Sequence, residues 1–198
     1  MALNWSSRVW PYLGFLVIVA DLLATPLAAQ QREHVGDEQQ YKRALAIDEK
    51  ALGPNSPRIV RSISDLARFY RSRSQFLEAE RLYKRALAIE EKAFGPDTPE
   101  IVHNIDTLAG LYENWGKYAD AERLHTRKLA IIEKETGADS PATAGAVEAL
   151  ASFYQTQKRF AEATILYKRV LAIKERTSTD IIGAINALAN CYEADKRF

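Results

Sequence analysis

The stretch "LAIEEKAFGPDTPEIV" at residues 87–102 has a near-copy, "LAIDEKALGPNSPRIV", beginning at residue 45, and another, "LAIIEKETGADSPATA", beginning at residue 129. The three start points are 42 residues apart, and the same register runs through the rows around them. Tyr41, Tyr83, His125 and Tyr167 occupy one row, and Tyr70, Tyr112 and Tyr154 another. Tyr192 closes its own segment in the same way, four residues early. A period of this length demands stacked supersecondary units, each touching only its neighbours, in place of one closed core.

Each period holds two helices. The leading one places Ile101, Ile105, Leu108, Ala109 and Tyr112 on one face, the spacing of a helical stripe. The returning one does the same with Ala79, Leu82, Tyr83, Ala86 and Ala93. Neither shows the alternation of a strand. Between units, Gly95 suits a helix end, Pro96 forbids continuation, Thr98 is placed to cap the next helix and Pro99 fits its first turn. Gly53, Ser56 and Pro57 repeat these roles one unit earlier, and Gly137, Ser140 and Pro141 one unit later. Proline and glycine in every period exclude a continuous coiled coil. Two small-residue rows, Ala67/Ala109/Ala151/Ala189 and Ala79/Ala121/Ala163, predict close approach of helix backbones.

These rows resemble the tetratricopeptide repeat. Ile105, Leu108, Ala109, Tyr112 and Ala121 follow its order of apolar, Leu, small, Tyr and Ala. The 42-residue length and the joint "LAIEEKAFGPDTPEI" are similar to the longer variety found in kinesin light chains and many bacterial proteins. The resemblance covers residues 41–198. It implies an all-α fold, an α-solenoid of antiparallel helix pairs wound into a right-handed superhelix. Two departures stand out. His125 and Lys128 replace an aromatic and a small residue, which predicts looser packing there. The joint "RTSTD" is four residues short and leaves Ser178 as the cap.

The units run 56–97, 98–139 and 140–177. An unpaired returning helix precedes them over 37–55, and an incomplete unit, a leading helix only, follows over 178–198. The expectation at that end is a fragment or a face that mates, with Leu188 exposed. Residues 1–29 read as a secretory signal peptide: "MALNWSSR", then the uncharged "VWPYLGFLVIVA", then a small-residue site ending at Ala29. An uncleaved anchor is the rival reading, and Pro11, Asp21 and Pro26 interrupt it. Residues 30–36 form a linker. Either way the expected location is exported, periplasmic or extracellular, with membrane contact only through that segment. The single cysteine, Cys191, cannot form an internal disulfide and falls in the row of Phe69, Leu111 and Phe153, a buried position.

The resemblance further implies that leading helices line a concave groove taking extended or helical segments of other proteins. By phase, four rows face away from the apolar stripe. They contribute Arg61 and His103; Ser64, Asp106, Glu148 and Asn186; Arg68, Gly110, Ser152 and Asn190; and Arg71, Glu113, Gln155 and Glu193. Their chemistry changes from unit to unit while the core rows barely change. Arg58, Arg61, Arg68 and Arg71 gather on one side of the first leading helix, where they could fork onto carboxylates or simply be solvated. Asn186 and Asn190, four apart, are placed as family asparagines that hold a peptide backbone, and mid-helix Gly110 suggests close approach. Trp115 is a packing or contact residue.

A net charge of +1 gives no basic field for nucleic acid. The three histidines lie in different segments without metal-ligand spacing, and there is no phosphate loop or nucleophile elbow. The expectation is no enzyme, no metal, no cofactor and no small-molecule substrate. The expected function is a scaffold binding a protein or peptide partner. Two alternatives stay open: an assembly module that self-associates through its terminal helices, and a regulatory fragment of a longer enzyme or signalling protein.

Overall fold

The computed structural model describes residues 37–177 and 181–195. The leader expected over 1–29, the linker 30–36 and the Ser178 cap lie outside these residues. The described residues form helices α1 (37–52), α2 (Val60–Ser72), α3 (Phe76–Phe94), α4 (Val102–Trp115), α5 (Tyr118–Thr136), α6 (Pro141–Thr156), α7 (Phe160–Arg176) and α8 (Ile182–Asp195). No strand occurs among them. Each helix packs chiefly on its neighbours in the chain, as a solenoid requires. No helix among the described residues is long and apolar enough to cross a membrane.

The joints differ in how they start a helix. Ser140 caps α6, its Oγ accepting from the Thr143 amide at 3.0 Å. Ser56 does the same for the short 3₁₀ turn Pro57–Ile59 that leads into α2, accepting from the Arg58 amide at 3.4 Å. Thr98 is not a cap. Its hydroxyl turns back to donate to the Gly95 carbonyl at 3.4 Å, and the turn Pro99–Ile101 starts without a side-chain acceptor. The inter-helix turns within units need a positive φ at residues 74, 116 and 158. Only Gly116 is a glycine there, and Ser74 and Lys158 adopt φ 56° and 59°.

The core runs along the stack as a main strip, with a smaller cluster of Ala151, Ala163, Tyr167 and Cys191 beside it. Ile59, Ile63, Ile101, Ile105 and Val147 are wholly buried, and so are Ala67, Ala109, Ala151, Ala79, Ala121 and Ala163 from the two small-residue rows. A larger side chain at those alanines would hold the helices apart. His125 keeps this strip closed where looser packing is expected. It is buried, its ring centroid 5.3 Å from that of Phe153, with Nε2 2.6 Å from Glu113 Oε1. Lys128 is mostly buried along its stem, and its Nζ reaches Asp106 of α4 at 2.5 Å. Each polar departure brings its own partner. In the last helix Leu188 is half-buried rather than exposed, while Ile185, Ala189 and Tyr192 of the same helix are exposed.

Two side-chain ties recur at the 42-residue period and join successive units. In the first, Tyr70, Tyr112 and Tyr154 donate to Glu38, Glu80 and Glu122 at 2.9, 2.8 and 2.7 Å. Each tyrosine rides on a leading helix and each glutamate on the returning helix before it. In the second, Arg85 pairs with Glu49 at 2.6 Å and Arg127 with Glu91 at 2.7 Å, and Arg169 pairs with Glu133. The same guanidinium groups donate to the joint carbonyls of Pro54, Pro96 and Ala138. Carboxylates such as Glu91 of "IEEK" therefore tie one returning helix to the next. Such half-exposed pairs fix register more than they add free energy.

The tyrosine partners carry a pH signature. Arg159 first, then Tyr154, hold the Glu122 carboxyl below its ordinary value, and Lys42 then Tyr70 do so for Glu38. At Glu80, burial pushes upward but Lys84 and Tyr112 outweigh it. Native-state values below the unfolded value mean that the unfolded chain binds more protons on acidification. Their stabilisation is thus present above the ordinary value of 4.5 and is lost as the pH falls through each lowered value. Replacing all three by Gln should flatten the acid limb of a urea-midpoint profile. An acid limb as steep as that of the parent chain would show that these carboxylates do not carry it.

Candidate functional site

Along the leading helices, the residues of the four outward rows are not equally available. Asp106 is held by Lys128 and Glu113 by His125, both from α5. Glu148 accepts from Lys174 of α7 at 2.9 Å, and Gln155 Oε1 accepts from Tyr167 at 3.0 Å. In α4 and α6 these carboxylates and the amide are thus engaged by the returning helix of their own unit. Gly110 does not mark a backbone contact. A Cβ there would lie 3.7 Å from Arg71 Nη1, an ordinary contact, so Arg71 lies over α4. Ser152, Asn186, Asn190 and Glu193 are exposed.

One end of the array gathers several of these residues. Arg58, Arg61, Ser64 and Arg68 face His103 and Asn104 of α4 across a cleft of 490 Å³, with Glu90 of α3 at its base. This volume is within the range of ligand-binding clefts, about 300–1,000 Å³. Arg58, Arg61 and His103 are exposed at the rim. Arg68 donates to Asp65 at 2.9 Å, whereas Arg58 and Arg61 have no side-chain partner among the described residues. Ser64, expected on the open face, is only 8% exposed.

The floor is polar and unsatisfied. Asn104 is 1% exposed, and neither its Oδ1 nor its Nδ2 has a hydrogen-bond partner. Ser64 Oγ and Glu90 Oε2 are in the same condition. Burial raises the Glu90 carboxyl above its ordinary value; Asn104 and His103 pull it down by less. Asn104 thus stands close enough to Glu90 to draw its carboxyl downward. Sequence phase missed Asn104 because it lies toward the core. The available signal was its row: Ser62, Asn104, Ala146 and Ala184, an amide among small residues.

Two residues singled out in the sequence serve packing. Cys191 is wholly buried, and burial pushes its thiol above the ordinary value. Trp115 stacks on Phe76 with centroids 5.8 Å apart, and Lys117 Nζ sits 3.5 Å from its ring centroid. Among the described residues, no group of three or more His, Cys, Asp or Glu side chains could hold a metal ion.

The family model described as "Tetratricopeptide repeat" matches residues 28–92, 59–134 and 101–176. Among solved structures, the chain is 26% identical to the kinesin light chain nearly identical TPR-like repeats of Podosopora anserina. That match covers 85% of this chain and 82% of the other, with a TM-score of 0.69. BtubC (BKLC) from P. vanneervenii is 22% identical over 92% of this chain and 74% of its own, with a TM-score of 0.65. The MamA protein shares the fold at 17% identity, 85% and 76% coverage and a TM-score of 0.52. No curated protein matches. Proteins built from these repeats are generally non-enzymatic scaffolds for protein–protein interaction. With three overlapping family matches spanning residues 28–176 and a helix-pair stack of the same kind, the chain belongs to the tetratricopeptide repeat family, in its kinesin-light-chain-like variety.

Proposed function

We propose that the face formed by α2, α4, α6 and α8 binds a segment of a partner protein in a groove and performs no chemistry on it. The leader read over 1–29 extends the proposal to a partner outside the cytoplasm. The observation that carries it is the contrast between rows. Wholly buried alanines recur identically from unit to unit, while the outward rows run from Arg61 through His103 to Gly145 and Gly183, all exposed. A constant frame with a changing face is what a linear ligand with a different demand at each step requires. Because the stack is preorganised by its alanine and tyrosine rows, only the ligand loses conformational entropy on binding.

The test is affinity capture from an envelope fraction with the full chain as bait, alongside a bait carrying Arg61→Glu and Arg68→Glu. A defined set of proteins should be recovered by the first and depleted with the second. Equal recovery by both would remove Arg61 and Arg68 from the binding surface, and failure to recover a defined set with the first bait would remove the binding reading itself.

A further inference from the structure

We infer that the chain associates with a second copy of itself, head to tail. In this contact α1 of one copy seats on α7 and α8 of the other, in the place a returning helix holds beside α2, α4 and α6. Arg43 of the first copy pairs there with Glu175 of the second.

The repeated ties show which groups are left over. Glu49, Glu91 and Glu133 each pair with an arginine on the next returning helix, Arg85, Arg127 and Arg169 in turn. Both rows have a fourth member in the same 42-residue register: Glu175 follows Glu133, and Arg43 precedes Arg85. Both are exposed, and neither has a partner among the described residues. The glutamate is placed for an arginine on a following returning helix, and the arginine for an acid on a preceding one. Two copies in line satisfy both at once.

The apolar rows at the two ends match in the same way. Tyr41, Ala44 and Ile47 of α1 are exposed, Ile47 by 66%. Their equivalents in α7, Tyr167, Val170 and Ile173, are buried in a unit whose two helices pack closely on each other. On α8, Ile185, Ala189 and Tyr192 are exposed, although Val147 and Ala151 of the same rows in α6 are wholly buried. The two open faces are thus the two halves of an interface that the chain builds within itself three times, α2 on α3, α4 on α5 and α6 on α7. Leu171 of α7 is half-buried where Leu45, Leu87 and Leu129 of its row are buried, as expected beside an open returning-helix position. A polar match follows too. Gln155 accepts from Tyr167 in the third unit, and the next members of those two rows are Glu193 and, on the second copy, Tyr41. Because the two surfaces differ, the contact is heterologous, so copies add in line without closing at two. One helix seated on two is at the small end of specific interfaces, and the association should be weak and reversible.

The test is sedimentation equilibrium of the full chain over a concentration series reaching about 0.5 mM. The weight-average mass should climb through the series and pass that of two copies. Ile47→Asp, at an exposed side chain, should leave the circular dichroism unchanged and hold the chain as a monomer throughout. Arg43→Glu and Glu175→Arg should each weaken association about tenfold, the loss of an exposed pair together with a repulsion of similar size. Both changes in one chain should restore it. A parent chain that stays monomeric would overturn the inference; if Ile47→Asp then lowers its thermal midpoint, residues 1–36 of the same chain cover α1 instead. Association that survives Ile47→Asp, a mass that levels at two copies, or a double variant no better than the single ones would each overturn the head-to-tail arrangement. None of these outcomes bears on the groove, which the capture experiment decides by itself.

Discussion

Ile105→Ala should lower the free energy of unfolding by about 3 kcal/mol, in the middle of the range for emptying a buried aliphatic site. Ile105 is wholly buried in α4, between α3 and α5, and belongs to the row Ile63, Ile105, Val147 and Ile185. The first three are wholly buried; Ile185 is 45% exposed. The same truncation at Ile185 should therefore cost about 1 kcal/mol or less, because much of its side chain is already in water. In a stack whose stability is a sum over neighbouring interfaces, a central cavity weakens the contacts on both sides of α4. The far-UV circular dichroism transition in urea should then move to lower denaturant, and its slope should fall if the two halves begin to unfold separately. Equal losses at Ile105 and Ile185 would show that burial in the helix stack is not what holds the fold.

The repeat itself was legible because its signals are local and recur. Period, helix stripes, alanine rows and joint glycines each need only residues a few positions apart, and each was present three or four times. The ties between units were not. Tyr112 and Glu80 lie 32 residues apart, on different helices. Nothing in either residue's neighbourhood indicates that a ring hydroxyl and a carboxylate will meet. Arg127 and Glu91 pose the same problem, and a charged helix face reads as solvated until its stacking geometry is known. Of the turns within units, Gly116 alone carries a compositional sign of its positive φ. Ser74 and Lys158 carry the same positive φ with no compositional sign of it, held there by the helices on either side.

The candidate site divides in the same way. Phase turned Arg61, Arg68 and His103 away from the apolar stripe, and all three line the cleft, since orientation on a helix follows from spacing alone. It failed for Ser64, which is buried, and passed over Asn104, whose side of the helix looks like core. It also could not show that Lys128, His125, Lys174 and Tyr167 would reach across and occupy Asp106, Glu113, Glu148 and Gln155. Those reaches depend on helix separation, which the alanine rows make small.

Gly95→Ala should cost about 2 kcal/mol, and the loss should be felt at the cleft as well as in stability. Gly95 ends α3 with φ 106° and ψ 157°, a region open essentially to glycine alone, where other residues are strained by about 1–3 kcal/mol. An added Cβ would also meet Thr98 Cγ2 at 3.3 Å, tight enough that Thr98 must give way. Thr98 donates to the Gly95 carbonyl, so the displacement reaches the one contact made by a side chain that was expected to cap the next helix. Gly116, with φ 77° and ψ 12°, is an ordinary left-handed helix end with open space around it, and Ala there should cost about 1 kcal/mol. In thermal unfolding the two variants should fall by about 4–8 °C and about 2–4 °C respectively. Since Gly95 sets the path from α3 into α4, its variant should also change the α2–α4 separation. In ¹⁵N spectra this would move the Asn104 and His103 resonances, which Gly116→Ala should leave in place. A smaller effect at Gly95 than at Gly116, or unmoved cleft resonances, would mean that the joint is a passive connector and that the angle between units is set by the alanine rows alone.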